Sequence, residues 1–498
     1  MTSSRLFCGA AAEAGLIRAA ALGHVLGLFL LGLAATMAPP AAVALIDSSD
    51  GLKPLLYSLM ITAAAGALLV WRNRLPATEL SRREGILLVT LIWIATAAFG
   101  GLPFFFSPHF SGLTDAIFEA ASGFTTTGAT VLPRVEVLDR GLQLWRIQSH
   151  WLGGMGIVLL GIAILPLLGV GSMHLYRAEF SGAKSEKLKP RIAEAAIALW
   201  KIYFALTLAE YMALRLAGVG PFEAICHAFS TLGTGGFSTR TASVGDFENP
   251  GVAYVIVLFM FLAGINFARQ YQLWVEWRPR AFFRDFEVRT YALTIGVATF
   301  IILATLLGDG GYTPEAAFRH SLFQVTSIVT TTGFVTADYE KWKPLPQILL
   351  LALMFVGGCT GSSAGGLKIS RVVLLLKVVA REFKVMVERR GVFAVKVGGQ
   401  AVPDASIRSL LNLVYLALLV NFLSCFLLAA MGVDVLTSIS AVAASMFNIG
   451  PGLGSVGPME NYGHLPAIAK WVLAGCMIAG RLEFYTMLVV LTPAFWRK

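Results

Sequence analysis

A short segment rich in hydroxyl groups and glycine recurs four times along the chain, always between apolar stretches. Its first full copy reads ASGFTTTGAT at 121–130, and the others lie near residues 235, 333 and 450. β-Branched threonines followed by glycine favour neither a stable helix nor a regular strand. Such a segment instead offers hydroxyl and backbone carbonyl oxygens, which are ligands that hard cations prefer.

The composition indicates that these segments belong to a membrane protein. Hydrophobic residues make up 56% of the 498 residues and charged residues only 14%, whereas a soluble domain carries about 25% charged residues. The net charge of +10 is typical of basic residues kept in cytoplasmic connections, and no basic stripe interleaved with aromatic residues indicates nucleic-acid binding. The cysteines and histidines are dispersed, which argues against a zinc site and a disulfide framework.

Apolar segments long enough to cross a bilayer, which takes about 20 residues, predict ten spans. They lie at 19–37, 55–71, 86–104, 143–168, 194–217, 252–275, 290–308, 346–388 (interrupted), 408–430 and 466–492. The first ends near MAPPAAVA, which resembles a signal-peptide cleavage region, but its length favours a retained helix. Four shorter stretches have the length of re-entrant helices, at 113–124, 221–232, 314–329 and 434–447.

Charge placement orients these spans and reveals a repeat. Basic residues cluster in the connections 72–83, 177–191, 278–289 and 377–396 and at the C-terminus. All fall on one side if the spans alternate, and the positive-inside rule makes that side cytoplasmic, with both termini inside. After two N-terminal spans, the order span, short helix, loop, span occurs four times. One glycine anchors each repeat, at Gly128, Gly235, Gly333 and Gly450, with spacings of 107, 98 and 117 residues.

Four irregular segments around one axis predict a ring of carbonyl oxygens that replaces the hydration shell of a cation. Irregular backbone at membrane depth is tolerated only where protein or a water-filled cavity covers it. Pro221 and Pro314 suit the first helical position, and Asp115, Glu223 and Glu315 lie in or near first turns. The partly negative C-terminal ends of the short helices would then face a cation. The alternative, a simple turn between helices, does not explain four copies on one side.

Two features inside later spans predict a gate. The sequence GGCTGSSAGGLKIS at 357–370 interrupts the eighth span, since each internal glycine costs up to about 1 kcal/mol in a helix. It is either a kinked helix packed through small residues or a flexible loop that blocks the path beneath the ring. Lys368 could place a positive charge in the cavity. Arg481 lies inside the last span, where a charge is costly and functional by default; it is either a cationic barrier or the salt-bridge partner of Glu483 or another buried acid.

These motifs resemble those of the Trk/Ktr/HKT superfamily of potassium transporters, and most closely its TrkH branch. The pieces that carry the resemblance are SGFTTTGA, CHAFSTLGTGGFST, FRHSLFQVTSIVTTTGF, NIGPGLG, GGCTGSSAGGLKISR and GRLEFYT. The similarity extends over essentially the entire chain and includes an extra N-terminal helix pair.

The resemblance implies a set of functional residues in this chain. The implied filter residues are Thr125, Thr126, Thr127, Gly128, Leu232, Gly233, Thr234, Gly235, Thr330, Thr331, Thr332, Gly333, Phe447, Asn448, Ile449 and Gly450. The implied gate comprises Gly357, Gly358, Gly361, Gly365, Gly366, Lys368 and Arg481. Glycine at all four filter positions favours potassium, because sodium-favouring relatives carry serine at the first. The filter lacks a full Thr-Val-Gly-Tyr-Gly signature, which implies weaker discrimination against sodium or rubidium.

The resulting expectation is an all-α integral membrane protein with four pseudo-repeats around a single pore. The N-terminal helix pair is expected at 1–78 and the repeats at 79–190, 191–285, 286–400 and 401–498. The expected function is potassium uptake across the bacterial inner membrane, channel-like or ion-coupled, with K+ as the transported ion and no bound organic cofactor. No nucleotide-binding fingerprint is present, so the resemblance implies control by a cytoplasmic TrkA-like nucleotide-binding subunit, and a homodimeric assembly.

Two other classes of function are the alternatives. A secondary transporter of another small solute usually has inverted repeats, which would place equivalent loops on opposite faces, whereas all four fall on one here. A membrane enzyme would need a nucleophile beside a base, and Ser122 or Ser230 with His227 is the candidate. His227 is instead expected to pack its short helix against the filter.

Overall fold

The computed structural model describes residues 17–73, 80–164 and 188–497, without the side chains of 157–164 and 188–195. Within these residues the fold is all-α apart from one small antiparallel pair, β1 (Lys396–Val397) and β2 (Gln400–Ala401). The predicted fold class is therefore confirmed. The predicted basic connection 72–83 includes residues 74–79, and the predicted connection 177–191 includes residues 177–187, all of which lie outside the described residues.

The described helices follow one another in four groups. The first comprises α1 (Ala19–Thr36), α2 (Ala38–Ile46), α3 (Leu52–Arg72), α4 (Arg82–Gly100), α5 (Leu102–Phe105), α6 (Leu113–Phe124) and α7 (Arg140–Ile164). The second comprises α8 (Leu188–Leu216), α9 (Pro221–Gly233), α10 (Pro250–Ala263), α11 (Phe267–Trp274) and α12 (Pro279–Arg284). The third comprises α13 (Phe286–Asp309), α14 (Pro314–Val329), α15 (Pro344–Leu353) and α16 (Ile369–Val387). The last comprises α17 (Asp404–Ala430), α18 (Val435–Met446), α19 (Ala467–Arg481), α20 (Tyr485–Val490) and α21 (Pro493–Trp496).

The four short helices α6, α9, α14 and α18 agree with the predicted stretches to within one residue at each end. Their starts are fixed by local chemistry. Thr313 and Asp434 cap α14 and α18 through side-chain oxygens that accept backbone N–H groups, and Pro221 and Pro314 occupy the first turns. Proline lacks the N–H that a first turn leaves unpaired, and capping satisfies another. The helix starts were therefore readable from the sequence.

The long spans are less regular than predicted. Within the described residues, six helices are long and apolar enough to cross a membrane, or seven if the bent pair α10 and α11 counts as one span. The axes of these two helices differ by 105°, so the prediction of a continuous span at 252–275 is wrong. The span expected at 466–492 is also broken, after α19, where Glu483 and Phe484 adopt positive φ. These breaks leave backbone groups that other parts of the protein must satisfy.

The short helices lie at the centre of the molecule. Their C-terminal halves are almost entirely buried, and α6, α14, α18 and α19 contribute to one continuous hydrophobic core. Trp145, on α7, is fully buried and its indole N–H donates to the carbonyl of Gly100 at 2.9 Å. Outer faces instead expose large apolar side chains, as on α17, where Phe422 and Phe426 are 68% and 65% exposed. This distribution is typical of a protein surrounded by lipid.

Candidate functional site

The loop after each short helix folds into the same backbone turn. One residue adopts a left-handed φ of 53° to 56°, and a glycine two positions later has a φ between 79° and 99°. The left-handed residues are Thr126, Thr234, Thr331 and Asn448, and the glycines are Gly128, Gly236, Gly333 and Gly450. Ring segments one to four are defined accordingly as residues 125–128, 233–236, 330–333 and 447–450.

Each ring segment is tied to its own short helix by an equivalent backbone hydrogen bond. The N–H of the residue between the two left-handed positions donates to a carbonyl five residues earlier, at 2.8–2.9 Å. The pairs are Thr127 to Ser122, Gly235 to Ser230, Thr332 to Ser327, and Ile449 to Ala444. The repetition shows that the four segments are structurally equivalent, although their sequences differ.

The four segments approach one another so closely that they close a ring. A Cβ atom on any of the four glycines would lie 1.9–2.6 Å from a carbonyl oxygen of the next segment. The contacts run from Gly128 to Gly235, from Gly236 to Thr332, from Gly333 to Ile449, and from Gly450 back to Thr127. Glycine is required here both by the positive φ and by the lack of room for a side chain.

The register of the second segment differs from the prediction by one residue. The structural equivalent of Gly128 is Gly236 and not Gly235, and the residues before it are Gly233, Thr234 and Gly235. Leu232, which was predicted to belong to the filter, lies in α9 one residue before the second segment, whose first residue, Gly233, ends that helix. Two adjacent glycines made the alignment ambiguous, and only the hydrogen bonds and the contacts around the ring resolve it.

Threonine hydroxyls brace two of the four segments. The Oγ1 atoms of Thr125 and Thr127 are 2.7 Å apart, and those of Thr330 and Thr332 are also 2.7 Å apart. A further link joins the fourth segment to the first, because the side-chain amide of Asn448 donates to Thr127 Oγ1 at 2.9 Å. The hydroxyl groups therefore hold the segments in place, whereas their role as ion ligands stays a prediction.

The interrupted eighth span contains a compact irregular stretch, residues 354–368, here called the central loop. Gly357, Gly361, Gly366 and Lys368 all have positive φ within it. Gly357 and Gly366 face each other so closely that a Cβ on either would meet the other's backbone. The predicted alternative of a kinked but continuous helix is therefore wrong. The break ends at Lys368, because Ile369 and Ser370 already belong to α16.

The central loop contacts the third and fourth ring segments and the C-terminal end of α9. The Gly365 N–H donates to the hydroxyl of Thr331 at 2.6 Å, and a Cβ on Gly365 would come within 2.4 Å of the Phe447 carbonyl oxygen. The Ser363 hydroxyl lies 3.0 Å from the carbonyl oxygen of Leu232, at the end of α9. The loop is thus seated on the ring from one side.

The break between α10 and α11 anchors the central loop. The Cys359 N–H donates to the Gly264 carbonyl at 2.8 Å, and the Phe267 N–H donates to the Gly361 carbonyl at 3.1 Å. Glu287, from α13, accepts the Thr360 N–H at 2.7 Å. Two irregular stretches thus satisfy each other's backbone groups, which explains why a predicted continuous span is bent here.

Arg481 connects the central loop to the rest of the protein. Its side chain is buried, with Nη1 donating to the Ser363 carbonyl at 2.9 Å and Nη2 donating to the Gly153 carbonyl, on α7, at 3.2 Å. The alternative of a salt bridge with Glu483 is wrong: Glu483 binds Arg371, on α16, at 2.9 Å. No ion pair to Arg481 occurs among the described residues.

Two other sequence-predicted residues have different roles from those first considered. The Lys368 ammonium group folds back and donates to the Ala364 carbonyl within the central loop. The His227 ring hydrogen-bonds to neither Ser122 nor Ser230; its ring nitrogens lie 2.8 Å from the Glu223 carbonyl oxygen and 3.0 Å from the Ser238 hydroxyl. No nucleophile–base pair forms from these residues. His227 stacks on Phe334, beyond the third segment, as its expected packing role requires.

A buried ion pair near the ring was not predicted from the sequence. Arg146, on α7, forms a buried ion pair with Glu119, on α6, at 2.6 Å. Glu119 also accepts the N–H of Val131 at 2.9 Å, so the pair holds the chain just beyond the first segment. The spacing of Glu119 and Arg146 along the sequence gives no signal, because the two residues lie on different helices.

Comparisons with known proteins agree with this arrangement. A family model described as TrkH, cation transport protein, matches residues 53–498. The chain is 40% identical to the Trk system potassium uptake protein TrkH of Halomonas elongata, over 95% of this chain and 98% of that one. It is 39% identical to the Escherichia coli K12 protein of the same name, over 96% and 99%. The crystal structure of the potassium transporter TrkH from Vibrio parahaemolyticus is similar, with a TM-score of 0.89, 38% identity, and coverage of 96% of this chain and 100% of that one.

Proposed function

The chain belongs to the TrkH family of cation transport proteins, and from this premise we propose that it takes up potassium ions through the ring of four segments. It is a multi-pass membrane protein and a transporter, not an enzyme. Relatives with about 40% identity over nearly their full length carry the name of potassium uptake proteins.

The observation that carries this proposal is the closed ring of glycine–carbonyl contacts. Four backbone segments converge at the buried centre of the fold, each with a glycine that leaves no room for a side chain. A ring of backbone carbonyls can replace the hydration shell of an alkali cation. The C-terminal ends of four short helices lie beside the ring, and their partial negative charge stabilises a cation there. Glycine at positions 128, 236, 333 and 450 favours K+ over Na+.

The central loop is the gate in this proposal. It lies against the ring from one side and is fixed by hydrogen bonds to Thr331, Leu232 and Arg481. Conduction then requires that the loop leave this position, and Arg481 opposes both that movement and the passage of a cation. The remaining gate glycines, Gly358 and Gly361, pack against Ala364 and Asn266 in the seated loop.

Regulation, assembly and placement in the membrane complete the proposal. The relatives are named as parts of a Trk system, which fits a second component, a cytoplasmic TrkA-like nucleotide-binding subunit that moves the loop. We place the protein in the bacterial inner membrane as a homodimer with one pore in each protomer. The basic connections and both termini face the cytoplasm. The repeats are assigned to 79–190, 191–285, 286–400 and 401–498, after an N-terminal pair at 1–78.

The proposal is tested in a bacterium that lacks potassium uptake and grows on low potassium only when a transporter rescues it. The wild type, expressed with its regulatory partner, is expected to rescue growth. Gly128→Ser is expected to fail or to admit sodium, because its Cβ would lie 2.1 Å from the Gly235 carbonyl oxygen.

Gly432→Ser is the matched control for this substitution. Gly432 has a φ of 87°, close to the 84° of Gly128, but no atom lies within 4 Å of its would-be Cβ. It therefore reproduces the backbone strain without the collision, and growth should be retained. A correctly inserted wild type that does not rescue growth would overturn potassium uptake. Equal growth of Gly128→Ser and the wild type would overturn the assignment of the ring as the filter.

A further inference from the structure

The second ring segment lacks the hydroxyl pair that braces the first and third. In those segments two threonine hydroxyls lie 2.7 Å apart behind the backbone. The equivalent positions in the second segment are Gly233 and Gly235, which have no side chains. An unbraced segment would leave one quarter of the ring free to change its width.

His150, on α7, occupies the space behind this segment. The residue is fully buried, and a Cβ on Gly235 would lie 2.1 Å from its Nδ1 atom. Nδ1 lies 3.1 Å from the Ser230 hydroxyl, at the end of α9. It also accepts the N–H of Phe237, just beyond the segment, at 3.4 Å. The imidazole thus contacts the chain before, within and after the segment.

A stack of three side chains holds the imidazole in place. The His150 ring lies on the Phe237 ring with centroids 4.1 Å apart and an angle of 18° between the planes. The guanidinium of Arg146, one helical turn earlier, lies 3.4 Å from the centroid of the same phenyl ring. Arg146 also donates to the Ser238 carbonyl at 3.2 Å. Since Arg146 is paired with Glu119, the stack also connects the second segment to the first short helix.

The hydrogen bonds define the state of the imidazole. Because the Phe237 N–H points at Nδ1, this nitrogen accepts a hydrogen bond, and the hydroxyl of Ser230 is then the second donor to it. A neutral histidine has one acceptor and one donor nitrogen, so the hydrogen resides on Nε2. The imidazole thus places a hydrogen-bonding side chain behind the second segment, as the threonine pairs do behind the first and third.

We propose that His150 is a positioning residue of the second ring segment, whose imidazole takes the place of the threonine hydroxyl pairs and fixes the width of the ring on that side. A glycine is needed at position 235 because the imidazole of His150 leaves no room for a side chain there. The backbone at this position does not require glycine, since the φ of Gly235, unlike that of Gly236, is not in the left-handed region. The consequence for ion selectivity rests on the proposed potassium uptake.

The experiment uses three variants of the full-length protein, reconstituted in liposomes together with the regulatory partner, and measures K+, Rb+ and Na+ uptake together with thermal stability. Gly235→Ala should lower the melting temperature and should reduce the rate of K+ uptake at least tenfold, because its methyl group collides with His150. His150→Ala should lower the K+ over Na+ selectivity several-fold, because the second segment loses the side chain that supports it. The double variant His150→Ala/Gly235→Ala should recover most of the uptake and stability lost in Gly235→Ala, because the methyl group enters the vacated space.

Two further variants separate positioning from mere packing. His150→Asn places an acceptor oxygen near the position of Nδ1 and should restore selectivity relative to His150→Ala. Gly128→Ala collides with the Gly235 carbonyl and not with His150, so His150→Ala should not rescue it.

The outcomes distinguish this inference from the proposed function. A wild type that transports K+, with a double variant no better than Gly235→Ala, would overturn the pairing of His150 with Gly235. Unchanged selectivity in His150→Ala would overturn the positioning role alone. A folded wild type that transports no K+ with its regulatory partner present would overturn the proposed function and, with it, the selectivity role, while the stability measurements would still decide the contact itself.

Discussion

Arg481 is the residue whose removal should open the transport path most directly. Its Nη1 donates to the Ser363 carbonyl of the central loop, and its Nη2 donates to the Gly153 carbonyl of α7. The residue is 4% exposed. Arg481→Gln removes the charge and shortens the side chain, so the Ser363 carbonyl is left buried without this partner. The seated position of the loop is therefore destabilised relative to an unseated one.

The size of the effect follows from the lost contact. A hydrogen bond to a charged group contributes about 1.5–3 kcal/mol to stability, and 1.4 kcal/mol corresponds to a factor of about ten in an equilibrium constant. The population of the unseated loop should thus rise roughly tenfold to hundredfold. Loss of the positive charge should add to the flux, because the cation would no longer meet a like charge beneath the ring.

The assay is K+ or Rb+ flux into liposomes in the absence of any regulatory subunit, where the wild type is expected to be nearly closed. Arg481→Lys retains the charge, but its single ammonium group cannot replace the two-pronged guanidinium that reaches both the Ser363 and the Gly153 carbonyl. This variant therefore separates the contribution of the charge from that of the hydrogen bonds. The matched control is Lys470→Gln with Asp115→Asn. It removes another buried cation of α19, paired at 2.7 Å, that does not touch the loop. Folded Arg481→Gln with wild-type flux would refute the reasoning.

Three further predictions concern contacts around the same site. Thr331→Val removes the acceptor of the Gly365 N–H and should raise basal flux several-fold, whereas wild-type flux in liposomes would contradict that contact's role. Arg371→Glu should break the ion pair that holds α16 to the break after α19, and so change the flux. The double variant Arg371→Glu/Glu483→Arg should restore the wild-type flux, because the ion pair can re-form with its charges exchanged. A double variant that behaves like Arg371→Glu would argue against the pair. Burial raises the pKa of Glu136, but hydrogen bonds from Thr241 lower it by more, so the pKa lies below its ordinary value. The contact therefore stabilises the fold at pH values above the ordinary carboxyl pKa, and this stabilisation is lost as the pH falls and Glu136 is protonated. Thermal unfolding between pH 7 and 3 should show a smaller acid decline in Glu136→Gln, and identical curves would exclude the contribution.

The fold class and the short helices were predictable from the sequence because their signals are local. Proline in a first turn, a capping Thr313 or Asp434, and an apolar stretch too short to span a bilayer act over a few residues. The recurrence of these signals predicted the four-part arrangement. The glycine-rich break at 357–370 was equally visible, since glycine disfavours a helix wherever it occurs.

What the sequence could not supply were the contacts between segments that are distant along the chain. In the sequence Gly235 and Gly236 cannot be told apart. Only their surroundings, His150 for Gly235 and the Thr332 carbonyl for Gly236, show that Gly236 is the equivalent of Gly128. The bend at 264–266 likewise depends on the central loop, whose Cys359 and Gly361 take up the free backbone groups.

A membrane protein with four equivalent short helices, four glycine-bearing loops and one broken span could be read from the sequence alone, because composition and local backbone preference act residue by residue. The tertiary structure alone decided the register of the second ring segment, the seat of the central loop, and the partners of Arg481. Those depend on which carbonyls and side chains meet in three dimensions, and a buried polar group takes the partner that geometry brings within about 3 Å, wherever it lies in the chain.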